Sequence, residues 1–179
     1  MVRKIATVLV STAALVLCGC AAEVVKGSTS PPPSIAAGAG KVIVFNITGN
    51  PEWTATAKDW EDFKKAWREA MTEATGAAGM TCTFQEGEPK ASGDVGTLVA
   101  VYVNDYRYVS TTARIMFGIM TGNGFVDAKV RFIDLKSGAQ LGEQTYNTTS
   151  HVGEGIGSAM TYKQLQALSK AIVADIATK

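Results

Sequence analysis

From Phe125 to Leu135 apolar and polar side chains alternate: Val126, Ala128, Val130 and Phe132 on one side, Asp127, Lys129 and Arg131 on the other. A period of two sends successive side chains to opposite faces of a strand, so this segment is a strand with one dry and one wet face. A dry face must be covered, and two segments of helical period supply the cover. Between about Ala57 and Thr75, Trp60, Phe63, Trp67, Ala70, Met71 and Ala74 recur every three or four residues, while Asp59, Glu61, Asp62, Lys64, Lys65, Arg68 and Glu69 fill the opposite side. Thr56 is the expected N-cap, with Gly76 and Gly79 as stops. From about Thr161 to Ala177, Tyr162, Leu165, Leu168, Ile172 and Ile176 form a second stripe.

The other strands read less cleanly. Val42 to Ile47 is a β-branched and aromatic run, expected to be buried and broken at Thr48-Gly49-Asn50-Pro51. Met80 to Phe84 alternates, with Met80, Cys82 and Phe84 on one face. Thr97 to Val109 places Val99, Val101 and Val103 on one face and Leu98, Ala100, Tyr102, Tyr106 and Tyr108 on the other. Residues 86 to 96 are a loop by composition. Asp134-Leu135-Lys136-Ser137-Gly138 turns the chain into a strand from Gln140 to Thr149, with Gly138 free to take a positive φ. The sum is an α+β domain: a mixed sheet of about five strands packed by two helices, in the order β-α-β-β-β-β-α.

The start of the chain is of another kind. Arg3 and Lys4 precede an apolar run from Ile5 to Leu17, followed by Cys18-Gly19-Cys20. A positive end, a short apolar stretch and a small-residue cleavage site are the parts of a secretory signal, and the run is too short for a span of roughly 20 residues. Leu17 three places before Cys20 and Gly19 directly before it resemble a lipobox. That resemblance implies a signal peptide over residues 1–19, cleavage after Gly19 and acylation of Cys20, which would hold the protein on a membrane. Ala21 in place of Asp implies the outer membrane, on its periplasmic face, in a two-membrane cell. Residues 20–40, with Pro31, Pro32 and Pro33 and few large apolar groups, read as a lipidated anchor and flexible linker with a mean span of roughly 25 Å. Order is expected to begin at Lys41, and residues 41–179 make one periplasmic domain.

Composition then narrows the chemistry. Loss of Arg3 and Lys4 leaves a net charge near −1 and no basic stripe, so nucleic acid is not an expected partner. Cys18 leaves with the signal and the sulfur of Cys20 is taken by lipid, so Cys82 is the remaining thiol and is expected to be a small buried hydrophobe. His151 is the one histidine and has no catalytic motif around it. One histidine and one thiol do not make a zinc set, so no metal is expected. The glycine clusters Gly118–Gly124 and Gly153–Gly157 lack the Lys-Ser/Thr pair of a phosphate loop, and no cofactor is implied. The stretch between the third and fourth strands is unusually apolar: Ile115, Met116, Phe117, Ile119 and Met120 either fold under a sheet edge and complete the core or offer a partner or self-association surface, or a contact with the bilayer.

Val103-Asn104-Asp105-Tyr106, Gly118 with Gly122 and Gly124, Val126 to Leu135 and Ser137-Gly138-Ala139-Gln140-Leu141 together resemble an uncharacterised domain of bacterial lipoproteins. That family is distantly similar in fold to periplasmic domains of the curli-secretion lipoprotein and to the amino-terminal domain of TolB. Met120 and Asn123 depart from the small residues usual in its glycine loop. The resemblance carries no catalytic residue and implies a non-enzymatic module of the cell envelope that binds a periplasmic component or assembles with itself. The competing reading is a small-ligand-binding or hydrolytic protein using Gly118–Gly124 and His151.

Overall fold

The computed structural model describes residues 23–27, 33–36, 38–109, 116, 124–149 and 160–177. Its strands are β1 (Glu23–Gly27), β2 (Val42–Gly49), β3 (Thr81–Gln85), β4 (Thr97–Arg107), β5 (Phe125–Asp134) and β6 (Gln140–Thr149). Its helices are α1 (Pro51–Thr54), α2 (Trp60–Ala77) and α3 (Met160–Ala177). The architecture is the expected α+β one, with a six-stranded sheet in the order β1-β6-β5-β4-β2-β3. β3 and β4 each pair parallel with β2, and the remaining neighbours are antiparallel.

Both long helices lie on one face of the sheet. Phe63, Trp67 and Met71 of α2 and Leu165, Leu168 and Ile172 of α3 are fully buried with Val99, Val101, Val126, Val130 and Tyr146. Each such large side chain taken out of water contributes about 1.5–3 kcal/mol before the entropy of ordering is subtracted. A smaller cluster of Leu98, Ala100 and Leu135 occupies the opposite face, where Ser92 and Gly93 donate their backbone N–H groups to the Leu135 carbonyl at 3.2 and 3.0 Å. The β5–β6 turn is as read: Gly138 has φ +76°, and Asp134 Oδ1 accepts from the N–H groups of Lys136 and Ser137 at 2.7 and 2.9 Å.

Three expectations need correction. Order does not begin at Lys41: β1 pairs antiparallel with β6, Glu23 opposite Thr149 and Gly27 opposite Thr145. Ile35 and Ala39 are buried in the main core, and Pro33 lies so close to β6 that a Cβ on Gly142 would come within 2.8 Å of its Cα. The composition of 20–40 conceals this because one pair of valines, Val24 and Val25, suffices when a ready-made edge lies beside it. Second, α2 starts at Trp60 rather than Ala57. Asn50, and not Thr56, acts as a helix cap: its Oδ1 accepts from Glu52 N at 3.0 Å and opens α1 with Pro51 in the first turn. Third, Tyr106 and Tyr108 do not share a face with Leu98, Ala100 and Tyr102. The register slips between Val103 and Asp105, and this one-residue bulge reverses the alternation, turning both tyrosines toward the helices.

Candidate functional site

The bulge creates the most distinctive surface of the described structure. At the end of the sheet where β2 and β4 finish, α1 and the start of α2 lean over Tyr106 and Tyr108. Trp53 sits with its ring centroid 5.5 Å from Trp60 and 5.3 Å from Tyr106, and Phe63 lies 4.4 Å from Tyr106 and 6.3 Å from Tyr108. The ring contacts continue inward through Trp67 to Phe45 and out again to Phe84 on β3. Offset and edge-on contacts of this kind add about 0.5–1.5 kcal/mol each beyond the area they bury. Trp53, Ala57, Asp59, Asp105, Tyr106, Arg107 and Tyr108 line an open cleft of about 330 Å³.

Asp59 occupies the N-cap position of α2 but caps nothing, because its carboxylate is used elsewhere: Oδ1 accepts from the Tyr106 hydroxyl at 2.7 Å. Burial, and then the hydrogen bond and charge of Asp59, push the Tyr106 phenol well above its ordinary range. Burial and the nearby carboxylates of Asp62, Asp59 and Glu69 raise Tyr108 as well. Both tyrosines are therefore held as neutral phenols. The cleft presents amphipathic rings and a mixed rim of Asp59, Asp105 and Arg107.

The residues singled out from the sequence fall unevenly. Cys20, Ile115, Phe117, Ile119, Met120 and His151 lie outside the described residues, as do positions 118–123 of the glycine cluster. Met116 is described and is 70 % exposed. Gly124 sits at the entry to β5, where an added Cβ would meet Thr161 Oγ1 at 2.9 Å. Cys82 is half-buried on edge strand β3 rather than deep in the core. Burial pushes its thiol up to about 11, although a hydrogen bond with Thr75 pulls the other way, so it is no ready thiolate. No cluster of three or more His, Cys, Asp or Glu suited to a metal occurs among the described residues, and no helix there is long and apolar enough to cross a membrane.

The sequence pattern alone does not bring Trp53, Tyr106 and Tyr108 together. The signal available was Asn50-Pro51, a cap followed by proline, which marks a helix start and would have placed Trp53 beside Trp60.

No protein-family model matches the chain, and no curated protein matches it by sequence. Solved structures do. The PelC dodecamer from Paraburkholderia phytofirmans aligns with TM-score 0.51 and 15 % identity over 85 % of this chain and 97 % of that one. This chain shares the PelC fold. A single-substitution variant of the same PelC gives TM-score 0.50 at 14 % identity over the same shares. Lipoprotein GNA1162 from Neisseria meningitidis matches more loosely, with TM-score 0.33 and 15 % identity over 77 % of this chain and 98 % of that one.

The raised groups carry a pH prediction. Cys82 and the tyrosines 106, 108 and 146 all bind their protons more tightly in the folded chain than in the unfolded one. Below about pH 8 both states are protonated and the stability is intact; as pH rises past the ordinary thiol and phenol values the unfolded chain ionises first and is favoured. The thermal midpoint should fall steeply from about pH 9 upward, as followed by circular dichroism; a midpoint unchanged up to pH 11 would contradict this.

Proposed function

We propose that this chain is a lipid-anchored protein of the bacterial envelope that acts by assembly and not by catalysis. Residues 1–19 are removed, Cys20 is acylated, and the domain stands on the periplasmic face of the outer membrane, where it associates with copies of itself or with another periplasmic protein. The observation that carries this is Leu17-Cys18-Gly19-Cys20 placed directly before a folded domain. The shared fold with PelC, whose crystals contain a dodecamer, supports self-association as the form of assembly. The neutral phenols and the protonated Cys82 support a role without covalent chemistry. Met116, with most of its surface in solvent, supports the apolar stretch Ile115–Met120 as contact surface.

The mass of the mature amino terminus tests the anchor, and sedimentation of the detergent-extracted protein tests assembly. The reading expects an acylated Cys20, membrane association that Cys20→Ser abolishes, and a species several protomers in size. Replacing Met116 and Phe117 together by Ser should lower its crosslinking yield severalfold without altering the fold. An unmodified thiol at Cys20 removes the anchor; a monomer indifferent to the double substitution removes the assembly.

A further inference from the structure

We infer that the end of the sheet bearing Trp53, Tyr106 and Tyr108 lies against the bilayer and docks on lipid headgroups. This rests on the lipid anchor at Cys20 proposed above. Glu23 opens β1 three residues after Cys20, and an extended chain spans at most about 3.3–3.6 Å per residue, so the start of β1 stays within about 11 Å of the Cys20 backbone. A 20-residue tether would have let the domain roam; the pairing of β1 with β6 removes that freedom.

Strand register carries the constraint across the molecule. Glu23 stands opposite Thr149, Thr149 opposite Phe125, and Phe125 opposite Arg107. With strands roughly 4.8 Å apart, Arg107 at the rim of the cleft is about 15 Å from Glu23 along the same end of the sheet. The chemistry of that end suits the place. Trp53, Tyr106 and Tyr108 are half-buried rings with polar tips, the side-chain type that concentrates at membrane–water boundaries. The charges around them, Glu52, Asp59 and Asp105 against Lys58 and Arg107, give no positive excess, so docking should not depend on anionic lipid. The opposite end, some 30 Å away along β5, carries the polar turn at Lys136 and Ser137 and the loop with Ser92 and Asp94.

The test uses the full-length lipidated protein in a Cys82→Ser background, with Lys58→Cys or Lys136→Cys carrying an environment-sensitive fluorophore. Both lysines are exposed and lie outside the ring contacts. The protein is reconstituted on phosphatidylethanolamine vesicles containing a headgroup nitroxide lipid, with and without phosphatidylglycerol, and flotation is measured first. Quenching at position 58 should exceed that at position 136 at least threefold in both compositions, and Trp53→Ser with Tyr108→Ser should reduce the difference. Equal quenching in a protein that floats overturns the docking and leaves the anchor standing. Failure to float overturns the anchor, and the docking with it.

Discussion

Trp67→Ala should lower the unfolding free energy by about 3–5 kcal/mol, the range for removing a large aromatic side chain from a packed core. Trp67 is wholly buried where α2 meets the sheet, 6.1 Å from Phe45 and 5.5 Å from Phe63. It is the ring through which the cleft's aromatic contacts reach the parallel pair β2–β3, so alanine would leave a cavity between helix and sheet. One effect opposes the loss. The indole Nε1 has no hydrogen-bond partner among the described residues, and such an orphaned donor already costs the native state about 1–3 kcal/mol, which alanine would relieve. Trp67→Phe separates the two, because it removes the orphan while keeping most of the volume. It should cost clearly less than alanine. Urea unfolding with an unchanged slope is the measurement; a loss below about 1 kcal/mol for alanine would mean that the core closes around the gap.

The burial of Trp67 is legible in the sequence, because the stripe of Trp60, Phe63, Trp67, Ala70, Met71 and Ala74 announces both a helix and the face it buries. β5 was equally legible, since a strand with one wet face writes its alternation directly. Where the reading failed, the cause was a non-local partner or a local irregularity. β1 is a strand because β6 offers it an edge, and nothing in Glu23-Val24-Val25-Lys26-Gly27 makes that visible alone. Counting in twos through Asn104 puts Tyr106 and Tyr108 on the wrong face, and a bulge has no reliable mark in the sequence. The candidate cleft depends on that one residue, so it could not have been assembled before the register was known. The apolar stretch Ile115–Met120 stood out by composition and is joined to β4 and β5 at the same end as the cleft, yet only Met116 of it lies among the described residues.

Asp175→Ala should cost about 2–3 kcal/mol, most of it through Tyr146 on β6, and should loosen β1 as well. The Asp175 carboxylate accepts from the Tyr146 hydroxyl at 2.5 Å and pairs with Lys26 Nζ at 2.7 Å, so one side chain of α3 holds both β6 and the amino-terminal strand. The two contacts are unequal. Lys26 is well exposed, and an ion pair in that setting is worth under about 1 kcal/mol. Tyr146 is fully buried, and its hydroxyl without an acceptor carries an uncompensated desolvation cost; a hydrogen bond to a charged group is worth about 1.5–3 kcal/mol. Most of the loss should therefore vanish when Tyr146→Phe is already present, a coupling that a double-mutant cycle reads directly. Asp175→Asn keeps an acceptor for the hydroxyl and should fall between wild type and alanine. Hydrogen exchange at Val24, Val25 and Lys26 should accelerate in Asp175→Ala more than at the centre of β5, because among the described strands β1 has β6 alone as a neighbour. Once β1 frays, the next packed residue among those described is Pro33, and the leash lengthens. The same substitution should then reduce the quenching contrast between the two ends of the anchored domain; additive costs in the cycle, with β1 exchanging as slowly as before, would show that Asp175 holds neither strand.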